Sequence, residues 1–145
     1  MSTSMLRLPS VLLLAAALGV ALSGCAGASY PVFEQEQTAD DLLPTDFPVE
    51  TDEYDLSTTR HVGSHEGVEY FLVKRNDNET GGAPCLVVVG DDPYGSIIGC
   101  SGGDGRVTVG PGGGSQAALA PAGEAVGEAE GWTRVGDYIA VRNPR

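Results

Sequence analysis

The sequence predicts a small, mainly β domain, an antiparallel sheet or partly open barrel of about five strands with one or two short helices, preceded by a disordered tether. An α+β arrangement is the alternative. Three observations carry this reading. Runs of β-branched and aromatic residues recur through the second half of the chain. Gly-rich turns separate them. The one Ala- and Glu-rich stretch that favours helix, 117–130, is cut by Pro121, Gly123 and Gly127.

Val68-Glu69-Tyr70-Phe71-Leu72-Val73 has the composition of a strand, and 76–84, with Gly81 and Gly82, reads as a turn. Cys85-Leu86-Val87-Val88-Val89 is apolar without alternation, which suits a central strand covered on both faces. A turn at 90–95 leads to Ile97-Ile98-Gly99-Cys100, and 106–109 and 137–142 offer two further strands, with Trp132 and Val135 as core contributors. The folded domain is predicted over 56–145, and no internal repeat is visible.

Upstream, 26–59 holds nine acidic residues and no basic one, interrupted by Pro31, Pro44 and Pro48. Self-repulsion and proline predict a flexible acidic tether over 25–55, spanning on the order of 30 Å. A helical turn near 39–43 is expected within it, with Thr38 as its cap and Pro44 as its stop.

The first 24 residues have the layout of an export signal: Arg7, the apolar run 11–22, then Ser23 and Gly24. Twelve helical residues at about 1.5 Å each reach roughly 18 Å, short of a hydrocarbon core of about 30 Å, so the run is too short for a standard membrane span. Leu22-Ser23-Gly24-Cys25 resembles the lipobox of bacterial lipoproteins. The resemblance implies cleavage between Gly24 and Cys25, a diacylglyceryl group on the Cys25 sulfur, fatty acids such as palmitate as the anchor, and residence at the extracytoplasmic face of the cell membrane. An ordinary secretory signal with a cysteine near its cut site is the alternative. Each buried methylene contributes about 0.8 kcal/mol, so two acyl chains hold a protein to a bilayer unaided.

Cleavage before Cys25 leaves 121 of 145 residues, room for one domain and a tail. It removes Arg7 from 8 basic residues and none of the 20 acidic ones, leaving 20 against 7 and a net charge near −13. Such a chain is a poor ligand for nucleic acid, whose phosphates are bound through Lys and Arg. With Cys25 assigned to lipid, Cys85 and Cys100 remain as an even pair in an oxidising compartment, where a structural disulfide is expected. A redox or metal-binding pair is the alternative, although no Cys-x-x-Cys is present.

The pattern of an acidic leader, Tyr-Phe-Leu-Val, Cys-Leu-Val-Val and Gly-Cys-Ser also resembles small actinobacterial envelope lipoproteins, over residues 56–142, and carries no catalytic residues across. Other motifs support no chemistry. Gly99-Cys100-Ser101-Gly102-Gly103 resembles the nucleophile motif of chymotrypsin-like proteases, with His61 upstream, but Cys100 replaces the family's Asp and about 90 residues are too few for two barrels. Asn76, Asn78 and Thr80 alternate before Gly81 as in a calcium loop, yet Val87 stands where the closing carboxylate belongs. The Gly-rich stretches 102–105 and 110–114 lack the Lys of a phosphate loop, and His61 and His65, four apart as on a zinc helix, lack its Glu, since Glu66 adjoins the second His instead of following the first. No cofactor, catalytic residue or metal ligand is therefore predicted. The expected role is a noncatalytic binding or structural module of the cell envelope, with a small envelope enzyme (a Ser101 hydrolase or a Cys85 and Cys100 thiol oxidoreductase) as the alternative. Its partners are the membrane, through Cys25, and an unidentified protein or envelope component.

Overall fold

A computed structural model describes residues 30–49, 52–76, 82–90, 96–101, 107–110 and 115–143. The signal segment with Cys25, most of the calcium-like loop, and nearly all of both Gly-rich stretches lie outside them. The described chain is mainly β, with eight strands in two four-stranded antiparallel sheets and three 3-10 turns at Pro31–Glu34, Ala39–Asp41 and Glu128–Glu130. No helix among the described residues is long and apolar enough to cross a membrane.

The first sheet runs β1 (Tyr54–His65), β2 (Val68–Arg75), β3 (Pro84–Val89) and β4 (Ile97–Cys100), each paired with the next. The two-residue connection between β1 and β2 is Glu66-Gly67, with φ of 51° and 82°. Positive φ at both positions is the backbone of a type I′ hairpin, whose twist matches that of the flanking strands. The second sheet is ordered β5 (Thr108–Val109), β6 (Gln116–Leu119), β8 (Ile139–Arg142) and β7 (Thr133–Val135).

The inner faces of the two sheets meet over one core. Tyr70, Leu72, Leu86 and Val88 of the first sheet pack against Val109, Ala117, Leu119, Ile139 and Val141 of the second. Tyr30 and Val32 close the same core from the N-terminal side. A second cluster lies on the outer face of the first sheet, where Phe71, Val73, Cys85 and Val87 are covered by Leu43, Phe47, Tyr54 and Leu56. Alternate residues of β2 and β3 thus enter different cores, which is why both strands read as unbroken apolar runs.

The barrel stays open, but the sheet margins lie side by side, β4 beside β5 and β1 beside β7. Glycine permits the approach at each seam. A Cβ on Gly99 of β4 would lie 2.0 Å from Cγ1 of Val109, and one on Gly136 would lie 2.4 Å from the Val62 carbonyl oxygen. Gly136 also has φ +61°. Across β3 and β4, Cys85 and Cys100 are register partners and form the expected disulfide, with an S–S distance of 2.05 Å.

Three expectations need correction. The strands number eight among the described residues rather than about five, because β1, β6 and β7 carry little sequence signal. β1 is polar, contains Gly63 and is interrupted by two irregularities in its register with β2. β6 takes the start of the ambiguous 117–130 stretch. The disordered tether does not extend to residue 55, and the folded unit does not begin at Leu56, since Tyr30 and Val32 are core residues and 38–49 lies over the first sheet. The predicted turn is present as the 3-10 turn Ala39–Asp41 after Thr38.

Two outcomes follow for stability. Gly136→Ala should lower the melting temperature more than Gly123→Ala, because both start from positive φ while only Gly136 has no room for a methyl group; the steric difference, read by thermal denaturation, should be about 1–3 kcal/mol. Cys85→Ser or Cys100→Ser should each cost about 2–5 kcal/mol in chemical denaturation, and variants that unfold like the parent would refute a structural role for the disulfide.

Candidate binding cleft beneath the N-terminal segment

The segment 35–49 docks along the unpaired edge of β1, and polar contacts fix its position before apolar ones cover the sheet. Asp41 is the centre of this attachment. Its Oδ2 accepts hydrogen bonds from the Thr38 backbone N–H at 2.7 Å and the Thr38 hydroxyl at 2.8 Å. Its Oδ1 accepts the His61 backbone N–H at 2.8 Å, occupying a donor on the strand's open edge. Gln37 Nε2 donates to the Leu56 and Thr59 carbonyls, and buried Arg60 donates to the Gln35, Ser57 and Thr59 carbonyls. The irregular part of β1, between Asp55 and Arg60, thereby finds partners in the segment crossing it.

Asp41 is buried. Burial pushes its carboxyl upward, but the Thr38 and His61 backbone N–H groups, the Thr38 hydroxyl and the Arg60 charge together outweigh it and hold the carboxyl below its ordinary 3.8. The ionised form is the one that fastens the segment.

Beyond Asp41 the chain turns over the sheet, with the Phe47 N–H donating to the Pro44 carbonyl at 3.0 Å. A half-open cleft of about 290 Å³ remains between this turn and β1, walled by Leu42, Leu43, Phe47, Val49 and Leu56. Thr59 also lines it; the residue is 1 % exposed and its Oγ1 has no hydrogen-bond partner among the described residues. Leu42, at the rim, is 58 % exposed. Such a cleft can take an apolar group of a few carbons. A smaller hollow of about 150 Å³ adjoins Trp132 on the second sheet, where Arg142 stacks on the indole at 4.7 Å.

The residues singled out from sequence fall elsewhere and apart. His61 Nε2 lies 2.5 Å from Glu69 Oε2, and its ring meets Phe71 edge-on at 5.1 Å. Ser101 follows β4, at the opposite margin of the sheet from His61 on β1. Three inter-strand spacings put them roughly 14 Å apart across the sheet, before any offset along the strands, so they do not form a nucleophile and base pair. Ser101 is buried, and its N–H donates to the Pro84 carbonyl. His61 and His65 occupy one strand four residues apart, not one helical face, and no group of three or more His, Cys, Asp or Glu able to hold a metal exists among the described residues. Cys85 is fully buried, leaving the disulfide approachable only from the side of half-buried Cys100.

Asp41, Thr59, Leu43 and Phe47 were missed as site residues. The available signals were Thr38-x-x-Asp41, which has the form of a capping box, and the apolar side chains scattered through an acidic stretch.

Asp41→Asn should destabilise the protein by about 1–3 kcal/mol at neutral pH by leaving donors poorly matched, with faster proteolysis in 42–49. Because the folded carboxyl titrates below its unfolded value, its contribution is complete above 3.8 and disappears as the pH falls through the lowered folded value. The difference in melting temperature between parent and variant should therefore shrink at strongly acidic pH; a constant difference would contradict this role.

No family model, curated protein or solved structure matches the chain, so its functional reading rests on its own residues.

Proposed function

We propose that the chain is a lipoprotein of the extracytoplasmic face of the cell membrane, whose folded part is a noncatalytic binding or structural module of the envelope. The observation that carries this is the order Arg7, apolar 11–22, Leu22-Ser23-Gly24-Cys25. The disulfide supports the compartment, because such bonds persist where thiols are not kept reduced. The separation of His61 from Ser101 weighs against the hydrolase alternative. The apolar cleft favours binding over a purely structural role, with a small molecule bearing an apolar group of a few carbons as the class of ligand.

In its native host, the protein should incorporate labelled palmitate and fractionate with membranes, and Cys25→Ser should abolish the label and release the protein from membranes. An unmodified residue 25 in the mature protein, found by mass spectrometry, would remove the basis of the proposal.

A further inference from the structure

We infer that the end of the sandwich closed by Tyr30 is held against the phospholipid headgroups, with the opposite end facing outward. This rests on the proposed lipid at Cys25. Only five residue steps separate Cys25 from Tyr30, and at about 3.6 Å each the chain between them reaches at most roughly 18 Å.

The near end of that reach is a fixed point. Tyr30 is 7 % exposed, and its ring lies 5.9 Å from Tyr138 and 6.4 Å from Phe33. Lys74 Nζ in turn sits 5.0 Å from the centre of the Phe33 ring. Lys74 is near the C-terminal end of β2, and Tyr138 directly precedes β8. The antiparallel pairings put the start of β3 and the end of β6 at the same end.

The other end holds the Glu66-Gly67 turn and Asn143, whose Nδ2 donates to Glu66 Oε2. Along β8, the five residue steps from Tyr138 to Asn143, at about 3.3 Å each, separate the two ends by roughly 17 Å. An anchor at Cys25 therefore holds the Tyr30 end near the bilayer.

The near end carries half-buried aromatics, Phe33 and Tyr138, with Lys74 and Arg75, a composition compatible with headgroups. It also carries Glu34 and Asp137 and, opposite Lys74 and Arg75 at the start of β1, Asp52, Glu53 and Asp55, so its charge is net negative and tether length alone does the holding.

The full acylated chain in phosphatidylcholine vesicles bearing a headgroup nitroxide tests this. Asp137→Cys and Asn143→Cys each place one fluorophore at an exposed position, near and far respectively. Quenching should be several-fold stronger at position 137. A Gly/Ser insert of about 30 residues after Gly27, with a mean span on the order of 30 Å, should reduce both to a similar low level. Equal, weak quenching in the parent chain while the protein stays on the vesicles overturns the orientation and leaves the anchor intact. Protein that remains in solution because Cys25 carries no lipid overturns the anchor, and the orientation with it.

Discussion

Strands β2 and β3 are apolar on both faces, and a sheet with two apolar faces must be covered on both sides. The second sheet covers one face of the first. No other regular structure among the described residues covers the other, so the task falls to the segment 38–49, whose Leu43 and Phe47 pack there. Its attachment depends on Asp41, a carboxylate whose three donors come from its own turn and from the edge of β1. A charge turned inward thus lets a strongly acidic segment lie on an apolar surface.

The margins of the sheets pose a related problem. Exposed edges invite pairing with other chains, and a closed barrel would remove them. Here the edges are protected by proximity. Gly99 and Gly136 let β4 meet β5 and β7 meet β1, while the segment before β1 takes up part of that strand's open hydrogen-bonding edge. The disulfide acts at the same place, tying the four-residue edge strand β4 to β3. A strand that short has few ladder bonds of its own, so a covalent tie to its neighbour contributes more than it would in a long central strand.

The apolar runs of β2, β3 and β4 were legible in the sequence because their periodicity and composition are local properties. So were the turn after Thr38 and the pairing of the two distal cysteines. β1 was not legible: its residues Tyr54–His65 are mostly polar, and its open edge is served by polar contacts, with Gln37 donating to its carbonyls, Asp41 accepting its His61 N–H and its own Arg60 donating to the Gln35 carbonyl. The acidic segment misled for the opposite reason. Net charge and proline content describe its average, whereas its docking depends on Tyr30, Val32, Leu43 and Phe47, each meeting a surface far away in sequence. The cleft could not be read at all, since Thr59 becomes notable only when its hydroxyl is seen to be buried without a partner.

The same segment joins features that the sequence alone keeps separate. Its beginning, at Tyr30, plugs the inner core; its middle, at Asp41, fastens the edge of β1; its end, at Phe47 and Val49, walls the cleft. A molecule entering the cleft must therefore contact the segment itself, and any ligand that favours the docked arrangement stabilises it by its difference in affinity for the docked and released states. With a lipid at Cys25, the docked segment would also determine how far the domain stands from the bilayer, because release of 30–49 would add about 20 residues to the free chain and lengthen its reach severalfold at full extension. Height above the membrane would then depend on Tyr30 and Val32 staying in the inner core, and the shape of the cleft on Asp41, Phe47 and Val49 further along the same stretch of backbone.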